Sequence, residues 1–328
     1  MLLAVGLCLI GRWACAPRVS AQDIPGAPTE EIVANLAAGR VVIAVVKNAI
    51  LVATVEEPLE AETRPPTPVA LASERLGVML GAVEWWSPSS QQEIARLDKE
   101  LPHLRSLAVT TTPHLGQSQG GDEATDIEAI GKGLLSRLNE VAEGLHGKVN
   151  SPANEPIAEL IVADYLTGYG PEVWQLAYRI KQEEQRAEYW TTRVLPPAYL
   201  QFWPPEKNQP RTLVEFHYPP ENAPPSLLDL LRGKDPRLEK IRSSDAKMAG
   251  VADRLLAGES NKVSADDATQ FLRAALDAIA PPQARETMAM IRPETGFAWV
   301  LPPPEEPTER RQPERPSNAP TLAKPPQR

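Results

Sequence analysis

Four histidines, His103, His114, His146 and His217, are the residues of this chain best suited to proton transfer or metal binding. None has a second His, Asp or Glu at helical ligand spacing, and His103 follows Pro102 while His146 closes a Gly-Leu-His-Gly helix end. Surface or capping roles are expected for all four. Thr110-Thr111-Thr112 offers hydroxyls but falls in a polar loop between helical segments, where threonine needs no catalytic reason. Glu56, Glu57, Glu60 and Glu62 form an acidic run, yet a calcium loop needs oxygen ligands at tighter, turn-like spacing around a glycine. A solvated loop is the better reading, and the same holds for Asp122, Glu123 and Asp126 beside Gly120-Gly121. Gly-x-Ser-x-Gly, phosphate-cradling and His-Glu-x-x-His patterns are all missing from the sequence. No catalytic, cofactor-binding or metal residue is therefore assigned, and no cofactor is expected.

Aromatic residues are the second kind of candidate. Trp174 and Tyr178 sit at strand spacing and belong in a core. Trp190, Tyr199, Phe202 and Trp203 mix instead with Pro196-Pro197 and Pro204-Pro205. Such a stretch suits a groove or an oligomer contact, since aromatic side chains favour interfaces.

The elements that must carry these residues follow from pattern. The chain has 328 residues, 42% of them hydrophobic and 23% charged, enough for a sizeable core. Its net charge of −9 argues against a nucleic-acid or anionic-membrane partner, since both need a basic face. Residues 1–21 read as a signal peptide, with an apolar run from Leu2 to Ile10 and Val19-Ser20-Ala21 before Gln22. An uncleaved anchor stays open as an alternative, although the run is short for a span. Export to the periplasm or exterior is the expectation. Both cysteines, Cys8 and Cys15, lie in that segment, so the mature chain has no disulfide, thiolate ligand or cysteine nucleophile. Removal of Arg12 and Arg18 leaves 32 basic against 43 acidic residues, a charge of −11.

A polar lead-in spans residues 22–38, with a short helical stretch expected near Glu30 to Leu36. Val41 to Val46 and Ala49 to Val55 are apolar and β-branched, and Lys47-Asn48 joins them in a tight turn. A strand with one wet face alternates apolar and polar residues. These two do not. Both faces must be covered, and a two-residue link allows only antiparallel pairing. The pattern implies an antiparallel sheet with a second sheet on one face and helices on the other. Further expected elements are a strand at Leu76 to Val83, a helix capped by Ser87 or Ser89 and running to about Leu101, and a helix from about Thr125 to Leu145. Strands follow at Ile157 to Tyr165 and Val173 to Lys181, then strand-like pieces over 189–218. Helices are expected at Leu227 to Leu231, Asp245 to Ala257 and Ala265 to Ala280, with Ser264 and Asp267 as a capping pair. A last hairpin joins Thr287–Ile291 to Phe297–Leu301. Residues 302–328 hold nine prolines and few apolar side chains, so a disordered spacer is expected there.

This order of elements resembles proteasome-type N-terminal-nucleophile (Ntn) hydrolases. GRVVIAVVKNAILVATVE is similar to that family's opening hairpin, RLGVMLGAVE to its short strand before the first helix, and IAELIVADYLTGYGPEVWQLAYRI to its glycine-linked strand pair. The likeness covers residues 39 to about 301 as one domain, with extra material near 183–262. It implies an α+β fold, a four-layer αββα sandwich of two antiparallel sheets flanked by helices. It also implies hydrolysis by a terminal threonine whose own amine is the base. Here the departures are chemical. Gly39 occupies the family's cleavage position, but Arg40 stands at the nucleophile, Glu56 replaces an aspartate, and Thr67, Pro68 and Val69 occupy the neighbourhood of the activating lysine. A guanidinium neither attacks a carbonyl nor deprotonates in a protein. The expectation is a non-catalytic binding or self-assembling module, a homo-oligomer or a partner to another protein or peptide. A hydrolase with a different nucleophile and an unrelated envelope protein of structural role are the alternatives.

Overall fold

The computed structural model describes residues 18–19, 32–57, 63–87, 92–101, 122–144, 156–166, 170–186, 189–205 and 213–303. The chain is mixed α+β, with two main sheets and several helices. In order it runs β1 (Arg18–Val19), β2 (Ile32–Ala37), β3 (Gly39–Val46), β4 (Ala49–Glu56), β5 (Thr63–Arg64), β6 (Pro68–Ala72), β7 (Arg75–Ser87) and β8 (Gln92–Arg96). Helix α1 (Asp122–Glu143) precedes β9 (Ala158–Leu166), β10 (Gly170–Tyr178), β11 (Ile180–Arg186), β12 (Tyr189–Val194), β13 (Ala198–Trp203) and β14 (Leu213–Tyr218). Helices α2 (Leu227–Arg232), α3 (Pro236–Ser244), α4 (Ala246–Leu256) and α5 (Ala265–Ile279) lead to β15 (Glu286–Arg292) and β16 (Gly296–Leu301).

Among the described residues the larger sheet has the order β1-β2-β7-β9-β10-β13, with β5 beside β2 and both β6 and β8 beside β7. The smaller sheet runs β14-β3-β4-β15-β16. Strands β11 and β12 form a separate ribbon. All pairs are antiparallel except β2 with β5.

The β3–β4 hairpin is central. It pairs without a break from Gly39 opposite Glu56 to Val46 opposite Ala49. Asn48 takes a left-handed turn conformation (φ 57°), which asparagine tolerates better than most residues. Every residue of β4 is buried, and so is every residue of β3 except the half-buried Arg40. One face of the hairpin (Val41, Ile43, Val45, Ile50, Val52) shares a core with Leu76, Val78, Leu80, Ile161, Ala163 and Val173 of the larger sheet. The other face (Val42, Ala44, Val46, Leu51, Ala53, Val55) packs against Val251 and Leu255 of α4 and Phe271, Leu272 and Leu276 of α5. Burying each such side chain contributes about 1.5–3 kcal/mol. The unalternating sequence thus reflects packing on both sides of these strands.

A third core covers the far face of the larger sheet. Met79, Leu160, Val162, Leu176 and Tyr178 meet Ile127, Ile130, Leu134 and Leu138 of α1. Tyr178, fully buried, donates its hydroxyl to the carbonyl of Gly131 at 3.1 Å. Helix α5 begins as its sequence indicates, with the Ser264 hydroxyl accepting from the Asp267 amide at 3.2 Å.

Several expectations are corrected. Residues near Glu30 to Leu36 do not form a helix: Ile32–Ala37 is β2, paired with β7 from Val33 opposite Trp86 to Ala37 opposite Gly81. The lead-in therefore contributes a sheet strand ahead of Gly39. Ser87 is the last residue of β7, Ser89 lies outside the described residues, and Gln92–Arg96 extends the sheet as β8 before a helical turn at 97–101. Helix α3, not foreseen, starts where the Asp235 side chain caps it and Pro236 opens it. Of the segment 183–262, read as extra material, β13 and β14 are edge strands of the two sheets. The tail from residue 304 onward lies outside the described residues, as does all of the segment 1–21 except β1. No helix of the described residues is long and apolar enough to cross a membrane.

Candidate functional site

The chemistry that the resemblance implies would lie at the start of β3, where the chain leaves β2 in the larger sheet and enters the smaller one. Ala38 is the link. Its amide donates to the Arg64 carbonyl at 3.3 Å, and its carbonyl accepts from the Glu57 amide at 3.1 Å. Gly39 follows with φ 144°, and a Cβ there would lie 2.0 Å from the Val55 carbonyl oxygen. Glycine is required at this position by close backbone approach. Ala38 and Gly39 thus form a pinned crossover between the two sheets.

The Arg40 side chain is turned to partners within the protein. Its Nη2 donates to the Pro225 carbonyl at 3.1 Å, and its Nη1 lies 3.6 Å from Glu215 Oε2. Glu215 in turn accepts from the Leu227 amide at 2.8 Å, at the start of α2. Burial pushes the Glu215 carboxyl above the usual carboxylate range, and the Arg40 charge works in the other direction. The pair ties β3 and β14 to the helical layer, as a structural ion pair does.

Neighbouring groups are also committed. Glu56, at the family's aspartate position, is buried and reaches Arg285 Nε at 3.3 Å. Glu57 contacts Nε2 of His217, whose Nδ1 lies 2.9 Å from the Pro219 carbonyl, so each ring nitrogen faces an acceptor. The His217 side chain is mostly buried, which corrects the expectation of a surface or capping histidine. The Thr67 hydroxyl donates to the Pro65 carbonyl at 3.1 Å. Thr54 donates to the Pro66 carbonyl at 2.6 Å and meets the Thr287 hydroxyl at 2.7 Å. Neither of these buried threonines has an amine or imidazole as a hydrogen-bond partner among the described residues. The arrangement can hold a fold together, but it provides no activated nucleophile of the kind a terminal threonine would be.

The aromatic candidates divide between two sides of the larger sheet and the ribbon. Tyr199 packs on the α1 side with the core around Leu176. Phe202 and Trp203 pack at the rim of the core between sheets, where Phe202 meets Phe216 edge-on with centroids 4.9 Å apart. Trp190, half-buried, belongs to the β11–β12 ribbon. Phe202 and Trp203 thus share the core between the sheets, Tyr199 belongs to the core on the α1 side, and Trp190 lies in the ribbon.

Other candidates resolve simply. Trp85 is buried beside Val141 and lines a small apolar cavity with Leu138, Ala142, Ile157, Ile180 and Val194, and its indole N–H has no hydrogen-bond partner among the described residues. His103, His114, His146, Thr110 to Thr112, Glu60 and Glu62 lie outside the described residues, and of Asp122, Glu123 and Asp126 only the helical backbone is described. Among the described residues no group of three or more His, Cys, Asp or Glu is placed to hold a metal ion. Sequence reasoning missed Glu215 and Pro225 as partners of Arg40. Glu215 was legible only as the one acidic residue in the apolar strand LVEFHY.

Models of known protein families yield no match to this chain. No curated protein matches it either.

Proposed function

We propose that the chain is an exported, four-layer αββα module of the proteasome-like Ntn type that has lost the family's nucleophile and works by binding or self-assembly. The observation that carries this reading is the state of Arg40. At the position where a threonine would begin the mature enzyme, a guanidinium is ion-paired to Glu215 and hydrogen-bonded to Pro225, on the helical side of its sheet. The pinned crossover at Ala38 and Gly39 supports it as well, because a cut after Gly39 would separate β2 in the larger sheet from β3 in the smaller one. The three packed cores accord with the four-layer arrangement.

Intact-mass and N-terminal analysis of the protein recovered from its host tests the proposal. A single terminus near Gln22 is expected. A second cut exposing Thr or Ser, together with a covalent adduct on that residue after exposure to a peptide epoxyketone, would establish an active hydrolase instead.

A further inference from the structure

Among the described residues, strand β13 ends the larger sheet and pairs with β10 alone. Its sequence, AYLQFW, has no charged residue and no proline, and Pro196-Pro197 and Pro204-Pro205 bracket it. Half of the strand is anchored: Tyr199, Phe202 and Trp203 are half-buried against the two cores. The remainder faces outward, with Ala198 and Gln201 exposed and Leu200, at 51%, the most exposed large hydrophobic residue among those described. A register irregularity is confined to the Gln201–Trp203 end, leaving Ala198–Gln201 regular.

Free sheet edges invite pairing, and proteins ordinarily blunt them with charge, proline, bulges or short length. The other edges of this molecule follow that rule. Strands β1 and β5 have two residues each. Strand β8 carries Glu93 and Arg96, β14 carries Glu215 and His217, and β6 begins at Pro68. In β16 the Phe297 amide already donates to the Ser73 carbonyl at 2.6 Å, and Pro302 follows the strand. The ribbon carries Lys181, Glu183 and Arg193. Strand β13 is a six-residue edge without a charge.

We infer that β13 pairs antiparallel with β13 of a second copy, joining the two larger sheets across a twofold axis near Leu200. Two observations select this occupant. On a chain of net charge −9, an uncharged strand is a contact at which two copies meet without placing like charges opposite each other. The chain's own tail is unsuited to the position. After Pro304 its longest proline-free run is Thr308 to Gln312, shorter than β13, and it holds Glu309, Arg310 and Arg311. A prolyl nitrogen cannot donate to a ladder. Around the twofold, Leu200 would face its symmetry mate and Ala198 would face Phe202.

This inference deepens the self-assembly reading and is independent of whether the chain is catalytic. Sedimentation equilibrium of the full chain across micromolar concentrations tests it. A particle of twice the chain mass is expected, weakened at least about tenfold by Leu200→Lys, with an unchanged circular dichroism spectrum. Because residue 200 is exposed, the substitution leaves the core intact. In a Cys8→Ser, Cys15→Ser background, Leu200→Cys should form an intermolecular disulfide on mild oxidation, since paired strands hold opposite Cα atoms about 4.5–5.5 Å apart. A monomer throughout, or a dimer that survives Leu200→Lys without cross-linking through Cys at 200, overturns the inference. Neither result bears on the absence of the nucleophile, which intact mass decides separately.

Discussion

Gly39 and Arg40 are adjacent, and the first limits backbone conformation while the second binds through its side chain. For Gly39 the limit is space: the nearest backbone oxygen leaves no room for a methyl group. Gly39→Ala should cost about 3 kcal/mol, combining backbone strain with a displaced β4, and chemical denaturation read by tryptophan fluorescence would measure it. For Arg40 the question is chemical. Arg40→Thr places a hydroxyl at this position but supplies neither a lysine near Thr67 nor a free amine, so the chain should stay uncut by mass spectrometry. Loss of the guanidinium also leaves Glu215 buried without its cation. The sequence placed an arginine where the resemblance implies a nucleophile. What holds it was not readable, because Pro225 lies 185 residues further along the chain and only the fold brings it near.

Among the elements, legibility followed the source of each one's stability. Strands β3 and β4 were readable because burial on two faces removes polar residues from both parities. Helix α1 was readable from Ile127, Ile130, Leu134 and Leu138, and α5 from Ser264 and its apolar stripe. Strand β2 was misread as helix because Glu31, Ala34, Leu36 and Ala37 favour helices, whereas pairing with β7 fixes the outcome. Tertiary pairing overrides weak local preference. The same override made Gln92–Arg96 a strand, and α3 was overlooked although Asp235-Pro236 is a start signal. Since α1 covers its sheet through a few large side chains, Leu134→Ala should destabilise the fold by about 3 kcal/mol. A fall in the thermal midpoint with a native-like far-ultraviolet spectrum would confirm that the loss is one of packing.

For the molecule as a whole, an acidic composition meets several carboxyls whose proton affinity burial raises. Burial raises Glu159 and Glu215, and it pushes Asp164 up to about 6 despite Arg75. Glu286 is pushed up to about 7, by burial first and then by the hydrogen bond and charge of Asp277. An acid whose value is raised on folding gives stability that is full below its unfolded value and is lost as pH rises through its folded value. The melting temperature should therefore fall between pH 5 and pH 8. Glu286→Gln should reduce that slope while leaving the pH 5 value nearly unchanged, as differential scanning fluorimetry can show. Carboxyls held low, such as Asp235 beside Arg237 and Asp267 beside Lys247, act only below this window.

The seam between β3 and β4 lies in the middle of the smaller sheet, roofed on one side by helices and floored on the other by the larger sheet. Water can reach its amides only when the whole body opens. In deuterium the interior amides of Val41 to Val55 should be the last to exchange, at a rate set by global unfolding. That would make this segment the internal clock against which every looser part of the molecule is timed, and early labelling there would mean that the layers part without melting.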